Sequence, residues 1–353
     1  YDDLVEALAA GQGPDLFLLD QDHILEQANK LFIVPYESFS ERRFKDTYIE
    51  ASELYLVRTG IVAFPFSIDP LVMYWNRDVL EREGVPIQPK SWDEFFVLSP
   101  MITKRDRSSN ILQATVALGE YRNITHAKDI LAALMLQAGN PIVGVQGVEK
   151  KLTSQLLEEF GFTIRPAESA LRFYTEFSNP IKSVYSWNRA LSPSRQLFLA
   201  DQLAFYFGYA SEFEELKRAN PNLNFDVAPI PQGAGATTRR TFGQFYGLAI
   251  PLAAQNRGGG FAAAQTIGLP QYASLLAGEL QMAPVERSLI AAGSNNAFTS
   301  VIYGAALIAR GWLDPTPTDT AGILQTMVED IVSNRARVSK AVTDAVNRIT
   351  LSF

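Results

Sequence analysis

One stretch, FPFSIDPLVMYWN at Phe64–Asn76, restricts how this chain can fold more than any other. Its apolar residues predict a buried β-strand, yet Asp69 and Pro70 interrupt them. A buried carboxylate needs a partner or water, and a proline cannot donate a hydrogen bond to a sheet. We therefore expect two strands, about Ile61–Phe66 and Leu71–Trp75, that meet at a crossover between two domains. Asp69 then faces solvent or ligand there, unless it only caps a turn.

Length and composition predict a two-domain globular protein. The 353 residues exceed the roughly 250 at which chains tend to split into domains. The net charge of −7 argues against a nucleic-acid partner, which would need a basic face. Cysteine is absent, which excludes disulfides, thiolate metal sites and cysteine nucleophiles. No apolar run approaches the roughly 20 residues of a membrane span, and we expect any targeting segment to have been removed or never included before Tyr1.

Strand and helix patterns alternate along the chain, which predicts the α/β class. A strand at Asp15–Leu19 precedes a polar turn and a helix from about His23 to Lys30. In open α/β sheets, ligands bind at the carboxyl ends of strands, so this turn is a candidate site. Other expected elements are strands at 111–118, 203–207, 225–230 and 247–250, and helices at 125–137 and 337–349.

Catalytic and cofactor motifs are missing from the sequence. The two histidines, His23 and His126, lie about a hundred positions apart, and no HExxH, GxSxG, Walker A or dinucleotide fingerprint is present. We therefore expect no metal and no cofactor. Neither histidine is expected to be catalytic, and His126, in the first turn of a helix, is expected to be a surface residue.

Polar and aromatic residues cluster just after the predicted strands. Carboxylates accept hydrogen bonds from sugar hydroxyls, and aromatic faces cover the apolar side of a sugar ring. The alternative for each aromatic residue is a half-buried position at the edge of the core. The candidate ligand-binding residues are Asp20, Gln21, Asp22, Ser67, Asp69, Glu120, Tyr121, Tyr209, Gln244, Tyr246 and Arg287.

Five segments, in order over nearly the whole chain, resemble the extracellular solute-binding proteins of ABC importers, in the sugar-binding group that is maltose-binding-protein-like. The segments are GQGPDLFLLDQDHILEQANKLFIVPY, GIVAFPFSIDPLVMYWNRDVLEREGVPIQPKSWDEF, LADQLAFYFGYASEF, FDVAPIPQG and VSKAVTDAVNRI. The chain departs from the family in three places. The family's first strand and helix are not found before Tyr1, Gly208-Tyr209 stands where Gly-x-Trp is usual, and Asp201-Gln202 replaces the common Gly-Lys.

The resemblance implies a periplasmic-binding-protein-like fold of type II, with two α/β lobes joined by hinge crossovers. We expect 1–68 with 229–298 in the first lobe and 69–228 with 299–353 in the second. It implies a monomer that captures a small solute, preferably a mono- or oligosaccharide, by closing its lobes and delivers it to an ABC permease. The expected location is periplasmic or extracellular, either free or lipid-anchored to the outer face of the cytoplasmic membrane.

When the chain is aligned to the family, seven of its residues fall on ligand-contacting positions. Two of these seven, His23 and Trp312, are not among the candidate residues given above. The other five are Asp22, Asp69, Glu120, Tyr121 and Tyr209, the last at the stacking aromatic position.

Three alternatives to a sugar importer remain open. One is a sensory or scaffold module without transport. Another is a non-sugar solute, such as a polyamine, a sugar phosphate favoured by Arg122, Arg239, Arg240 and Arg287, or a ferric ion held by tyrosines. The last, an enzyme with Asp69 and Glu120 as acid and base, lacks a supporting motif.

Overall fold

Two α/β units make up the computed structural model, which describes residues 1–146 and 151–353. Unit 1 contains Tyr1–Pro70 and Gly243–Pro317, and unit 2 contains Leu71–Phe242 and Thr318–Phe353. The chain first leaves unit 1 close to the expected position. It returns to unit 1 after residue 242, whereas this return was expected after residue 228. It leaves unit 1 again after residue 317, whereas residue 298 was expected.

The strands alternate with helices along the described residues. The strands are β1 (Phe17–Asp20), β2 (Val34–Pro35), β3 (Leu56–Val57), β4 (Gly60–Ile61), β5 (Phe64–Asn76), β6 (Lys104–Arg105), β7 (Ile111–Val116), β8 (Val143–Gln146), β9 (Lys151–Ser154), β10 (Leu203–Tyr209), β11 (Phe225–Pro229), β12 (Thr241–Ala249), β13 (Ala283–Pro284) and β14 (Ala309–Arg310). The α/β class expected from the alternating pattern is confirmed.

The α-helices are mostly short. They are α1 (Asp2–Ala9), α2 (Ile24–Gln27), α3 (Glu41–Thr47), α4 (Arg77–Arg82), α5 (Glu94–Ile102), α6 (Ala127–Gln137), α7 (Pro166–Glu176), α8 (Ser194–Leu199), α9 (Phe213–Ala219), α10 (Arg257–Ile267), α11 (Pro270–Glu279), α12 (Arg287–Ala292), α13 (Ala297–Ile308), α14 (Pro317–Val332) and α15 (Val338–Thr350). The helix expected at about His23–Lys30 is instead a single α-turn, α2, between the 3₁₀ turns Gln21–His23 and Ala28–Lys30. Within the described part of the chain, no helix is both long and apolar enough to cross a bilayer.

Strand β5 is one continuous strand of 13 residues, so the expectation of two separate strands around Asp69-Pro70 is wrong. Both prolines lie within the strand, Pro65 opposite Gly247 next to a register shift in β12 and Pro70 opposite Gly243. The strand does pass from one unit to the other between Pro70 and Leu71, as the expected crossover does. Asp69 is only 3% exposed rather than facing solvent.

Unit 1 is built on antiparallel strands in the order β1, β12, the first half of β5, and β13, with β14 beside β12. A small sheet in the order β2, β4, β3 belongs to the same unit. Leu19, Ile68 and Phe245 of the main sheet are fully buried. The turn that follows β1 is therefore attached to a sheet whose core residues are closely packed.

In unit 2, the second half of β5 lies between β11 and β10, both antiparallel to it. Strand β7 runs parallel to β10, and β6 completes the sheet, while β8 and β9 form a separate hairpin. Aromatic rings fill the core beside the main sheet of unit 2. Phe95, for example, packs edge-on to Phe205 with 5.2 Å between the ring centroids. Strand β10, which ends at Tyr209, is thus anchored on both edges.

Candidate functional site

Five of the candidate residues share one face of the unit 1 sheet. The strand register places Asp20 opposite Tyr246, Tyr246 opposite Ser67, and Gln244 opposite Asp69. Opposed residues of antiparallel strands project to the same side, and so do residues two apart on one strand. These five residues therefore form a single group, called here the polar face of unit 1.

The residues of the polar face differ in exposure. Ser67 and Asp69 are buried, at 1% and 3% exposed, whereas Gln244, Tyr246 and Asp20 are partly exposed. The hydroxyl of Ser67 lies 3.6 Å from the sulfur of Met282. Carboxylate, amide, hydroxyl and phenol groups thus occur together on one surface, which suits a ligand with many hydroxyl groups.

The turn after β1 is held rigid by Asp20. Its Oδ1 accepts a hydrogen bond from the His23 backbone N–H at 3.1 Å and lies 2.7 Å from His23 Nδ1. The Tyr1 hydroxyl donates to Asp20 Oδ2 at 3.2 Å, and the Tyr1 ring stacks on the His23 ring with centroids 4.1 Å apart. Burial raises the pKa of Tyr1 above its usual range, so this hydroxyl keeps its proton. Asp22 lies half-buried in the same turn.

Gln21, in the same turn, is fully buried, and neither end of its side-chain amide has a hydrogen-bond partner among the described residues. A buried amide is normally satisfied by a protein, water or ligand group. Gly311 packs directly on it, because a Cβ at position 311 would lie 2.8 Å from Gln21 Cδ. Trp312 follows and is 4% exposed. The structure thus brings Gln21 and the region of Trp312 together.

We expect Gly311→Ala to lower the free energy of unfolding by about 1–3 kcal/mol, since the added methyl group overlaps the Gln21 side chain. Gly304→Ala is the matched control, because a Cβ there meets nothing within 4 Å and Gly304 lies inside α13, where alanine favours the helix. Urea unfolding of both variants measures the difference. An equal free energy of unfolding for the two variants would show that the Gln21 turn adjusts to the added methyl group without loss of stability.

In unit 2, the Glu120 carboxylate is already paired. Glu120 is 5% exposed, and Arg189 donates to both of its oxygens, from Nε at 3.2 Å and from Nη2 at 3.3 Å. The Tyr174 hydroxyl donates to the Glu120 carbonyl at 2.5 Å. A carboxylate bound in this way keeps lone pairs for a ligand hydroxyl. Tyr121 follows, half-buried.

Tyr209 ends β10 and is fixed through its backbone and its ring. Its carbonyl accepts a hydrogen bond from the Tyr74 hydroxyl at 2.7 Å, and its N–H donates to Glu212 Oε1 at 2.8 Å. The His126 ring lies against its ring, with centroids 4.7 Å apart at 76°. Its backbone and its ring therefore have defined partners at the end of β10.

The expectation that His126 is a surface residue is wrong. Helix α6 begins at Ala127, so His126 precedes it, in the left-handed region at φ 60°. Its side chain is only 23% exposed, and Nε2 lies 2.8 Å from Glu212 Oε1. Glu212 lies 86 residues further along the chain, so no local pattern indicated this contact.

Arg287 does not join the polar face. It begins α12, is exposed, and its Nε donates to the carbonyl of Lys45 near the end of α3. Among the other arginines considered for an anionic ligand, Arg122 is paired with Glu329 at 2.7 Å. In the described ranges, no three His, Asp or Glu side chains are grouped so that they could hold a metal ion.

Comparisons with known proteins agree with the resemblance seen in the sequence. A family model described as "Bacterial extracellular solute-binding protein" matches residues 1–273, whereas the comparison with curated proteins gives no match. Among solved structures, a cyclo/maltodextrin-binding protein in complex with maltotetraose matches at 13% identity and TM-score 0.75, over 99% of this chain and 85% of that one.

Two further structures show the same fold. The sugar-binding protein MalE from Xanthomonas citri is 18% identical, with TM-score 0.72, over 99% of this chain and 86% of that chain. A maltose-bound protein of T. maritima is 15% identical, with TM-score 0.70, over 100% of this chain and 88% of that chain. The expected periplasmic-binding-protein-like fold is confirmed by these matches.

Proposed function

Because this chain belongs to the bacterial extracellular solute-binding proteins, we propose that it captures a mono- or oligosaccharide for an ABC import system and delivers it to a membrane permease. The family is periplasmic or extracellular, and we infer that location for this chain. The polar face of unit 1 is the observation that carries the choice of a sugar.

The chemistry of that face favours a neutral polyhydroxylated solute. Asp20 and Asp69 accept hydrogen bonds from hydroxyl groups, and Gln244 and Ser67 can both donate and accept. Tyr246 adds an aromatic surface with a polar end. Similar structures are described with maltotetraose and with mannobiose bound, which supports an oligosaccharide here.

The mechanism that we propose is closure of the two units on the solute. A sugar that binds the closed form better than the open one stabilises the closed form. The ligand therefore shifts the population toward closure. The permease then recognises the closed, loaded form, in which the protein acts as a monomer.

We infer that the chain binds sugar without cleaving it. The structures that it resembles are binding proteins, and the Glu120 carboxylate is held by Arg189. Incubation with maltotetraose is expected to return the sugar intact.

A thermal-shift screen tests the proposed function. The panel contains maltotetraose, maltose, mannobiose, spermidine, glucose 6-phosphate and ferric citrate. A ligand at 100 times its Kd adds about 2.7 kcal/mol to the free energy of unfolding, so a cognate sugar is expected to raise Tm by several degrees. A rise with spermidine, the phosphate or iron alone would contradict the proposal.

A further inference from the structure

The carboxylate of Glu212 links His126 to Tyr209 through one oxygen atom. Oε1 accepts the backbone N–H of Tyr209 at 2.8 Å and also lies 2.8 Å from His126 Nε2. Gly208 makes room for this contact, because a Cβ at position 208 would lie 2.6 Å from the same oxygen. A change in the bond to His126 therefore acts directly on the atom that fixes the Tyr209 backbone.

The second oxygen of Glu212 is occupied as well. Oε2 accepts a hydrogen bond from the Tyr206 hydroxyl at 2.8 Å and lies 3.3 Å from Arg195 Nε. The Glu212 side chain is 12% exposed, so water reaches it poorly. The carboxylate is thus shared among His126, Tyr206, Arg195 and the Tyr209 N–H, so a change in the bond to His126 alters its bonds to the others.

Several charged and titratable groups lie at or near the His126 ring. Asp129 of α6 contacts the ring, with its Oδ2 3.5 Å from His126 Nδ1, and Glu212, just before α9, contacts the other side. Tyr206 and Tyr209 belong to β10. Arg195 of α8 and its partner Glu215 lie beyond Glu212. Two carboxylates therefore contact the ring, and the one arginine of the group lies on the far side of Glu212. This balance favours the imidazolium form.

The charge of His126 responds to pH within an accessible range. Burial alone would lower the pKa of His126, but the bonds to Asp129 and Glu212 outweigh it and raise the pKa to about 9. The same contact with His126, together with the bonds from Tyr206 and Tyr209, outweighs burial and lowers the pKa of Glu212. At neutral pH the imidazolium donates from both nitrogens, and above about pH 9 the ring loses one donor and the positive charge that attracts Glu212.

We propose that His126 is a positioning residue that, through Glu212, holds Tyr209 in one orientation, and that it does so only while its imidazole ring is protonated. This inference rests on the proposed function only in that Tyr209 is the aromatic residue that contacts the sugar. The binding-competent orientation of Tyr209 is then lost on alkalisation and kept on mild acidification.

NMR titration of the ligand-free protein tests the inference directly. The chain has two histidines, so the His126 ring signal is identified by its absence from His126→Gln, and the Tyr209 ring signals by their absence from Tyr209→Phe. In the wild type, we expect the Tyr209 signals to shift between pH 7.5 and 10 with the midpoint of the His126 signal. In His126→Gln, which keeps a polar side chain without the charge, that shift is expected to be lost.

Tyr209 signals that do not move with the His126 midpoint in the wild type would overturn the inference, and so would the same shift in His126→Gln. Because the His126 ring also contacts the Tyr209 ring directly, Glu212→Gln decides the route: it removes the shared carboxylate and is expected to uncouple the two midpoints, and Tyr209 signals that still follow the His126 midpoint in this variant would overturn the inference. No sugar is needed for these measurements. A failure of the proposed function, in which no sugar binds at any pH, is therefore distinguishable from a failure of this inference.

Discussion

Asp69→Ala is expected to weaken sugar binding by at least tenfold without unfolding the protein. Asp69 lies on the polar face of unit 1 opposite Gln244 and is 3% exposed. Hydrogen bonds to a charged group contribute about 1.5–3 kcal/mol, which corresponds to a loss of roughly 10- to 150-fold in affinity. Titration calorimetry with the sugar that gives the largest thermal shift measures the change.

Asp46→Ala is the matched control for this substitution. Asp46 also belongs to unit 1, but its side chain is 71% exposed on α3, so the affinity is expected to stay unchanged. Urea unfolding of both variants separates binding from folding. An Asp69→Ala protein that folds normally and binds with wild-type affinity would show that Asp69 is not a ligand contact.

His126→Gln is expected to lower the free energy of unfolding by about 3 kcal/mol at pH 7, and by little above pH 10. A pKa raised to about 9 lies some 2.5 units above the ordinary value, at roughly 1.4 kcal/mol per unit. Because the folded pKa is raised, this stability is fully present below pH 6.5 and is lost as the pH rises through 9. The lowered pKa of Glu212 acts in the opposite sense, since its contribution is lost on acidification below about pH 4.5.

Urea unfolding at pH 7 and pH 10 checks this expectation. Lys340→Gln is the control, because Lys340 and Asp344 form an exposed pair on α15, with a bond of 2.8 Å and side chains 69% and 51% exposed. Such pairs contribute less than about 1 kcal/mol. A stability difference for His126→Gln that is the same at both pH values would contradict a charged role for His126.

Local patterns in the sequence were enough to indicate most of the residues that form the polar face of unit 1. Polar residues at the end of β1 and within β5 and β12 indicated Asp20, Asp69 and Tyr246 as candidates. Their alignment on one face depends on the register of β1 and β5 against β12, strands that are far apart in the chain. No local pattern predicts that register.

The continuity of β5 and the role of His126 could not be predicted for the same reason. Pro70 pairs with Gly243 on another strand, and the His126 ring contacts Glu212, 86 residues away. Arg189 likewise neutralises Glu120 from 69 residues away. Local sequence indicates which residues are polar, whereas their partners are set by tertiary contacts.

Calorimetric titration of the wild-type protein with oligosaccharides at pH 7 tests the central claim most directly. The sugar-importer account predicts saturable binding of one sugar per chain for at least one member of a panel containing maltotetraose, maltose and mannobiose, with the sugar recovered intact. Binding to none of these sugars, together with binding of spermidine or a sugar phosphate, would contradict it.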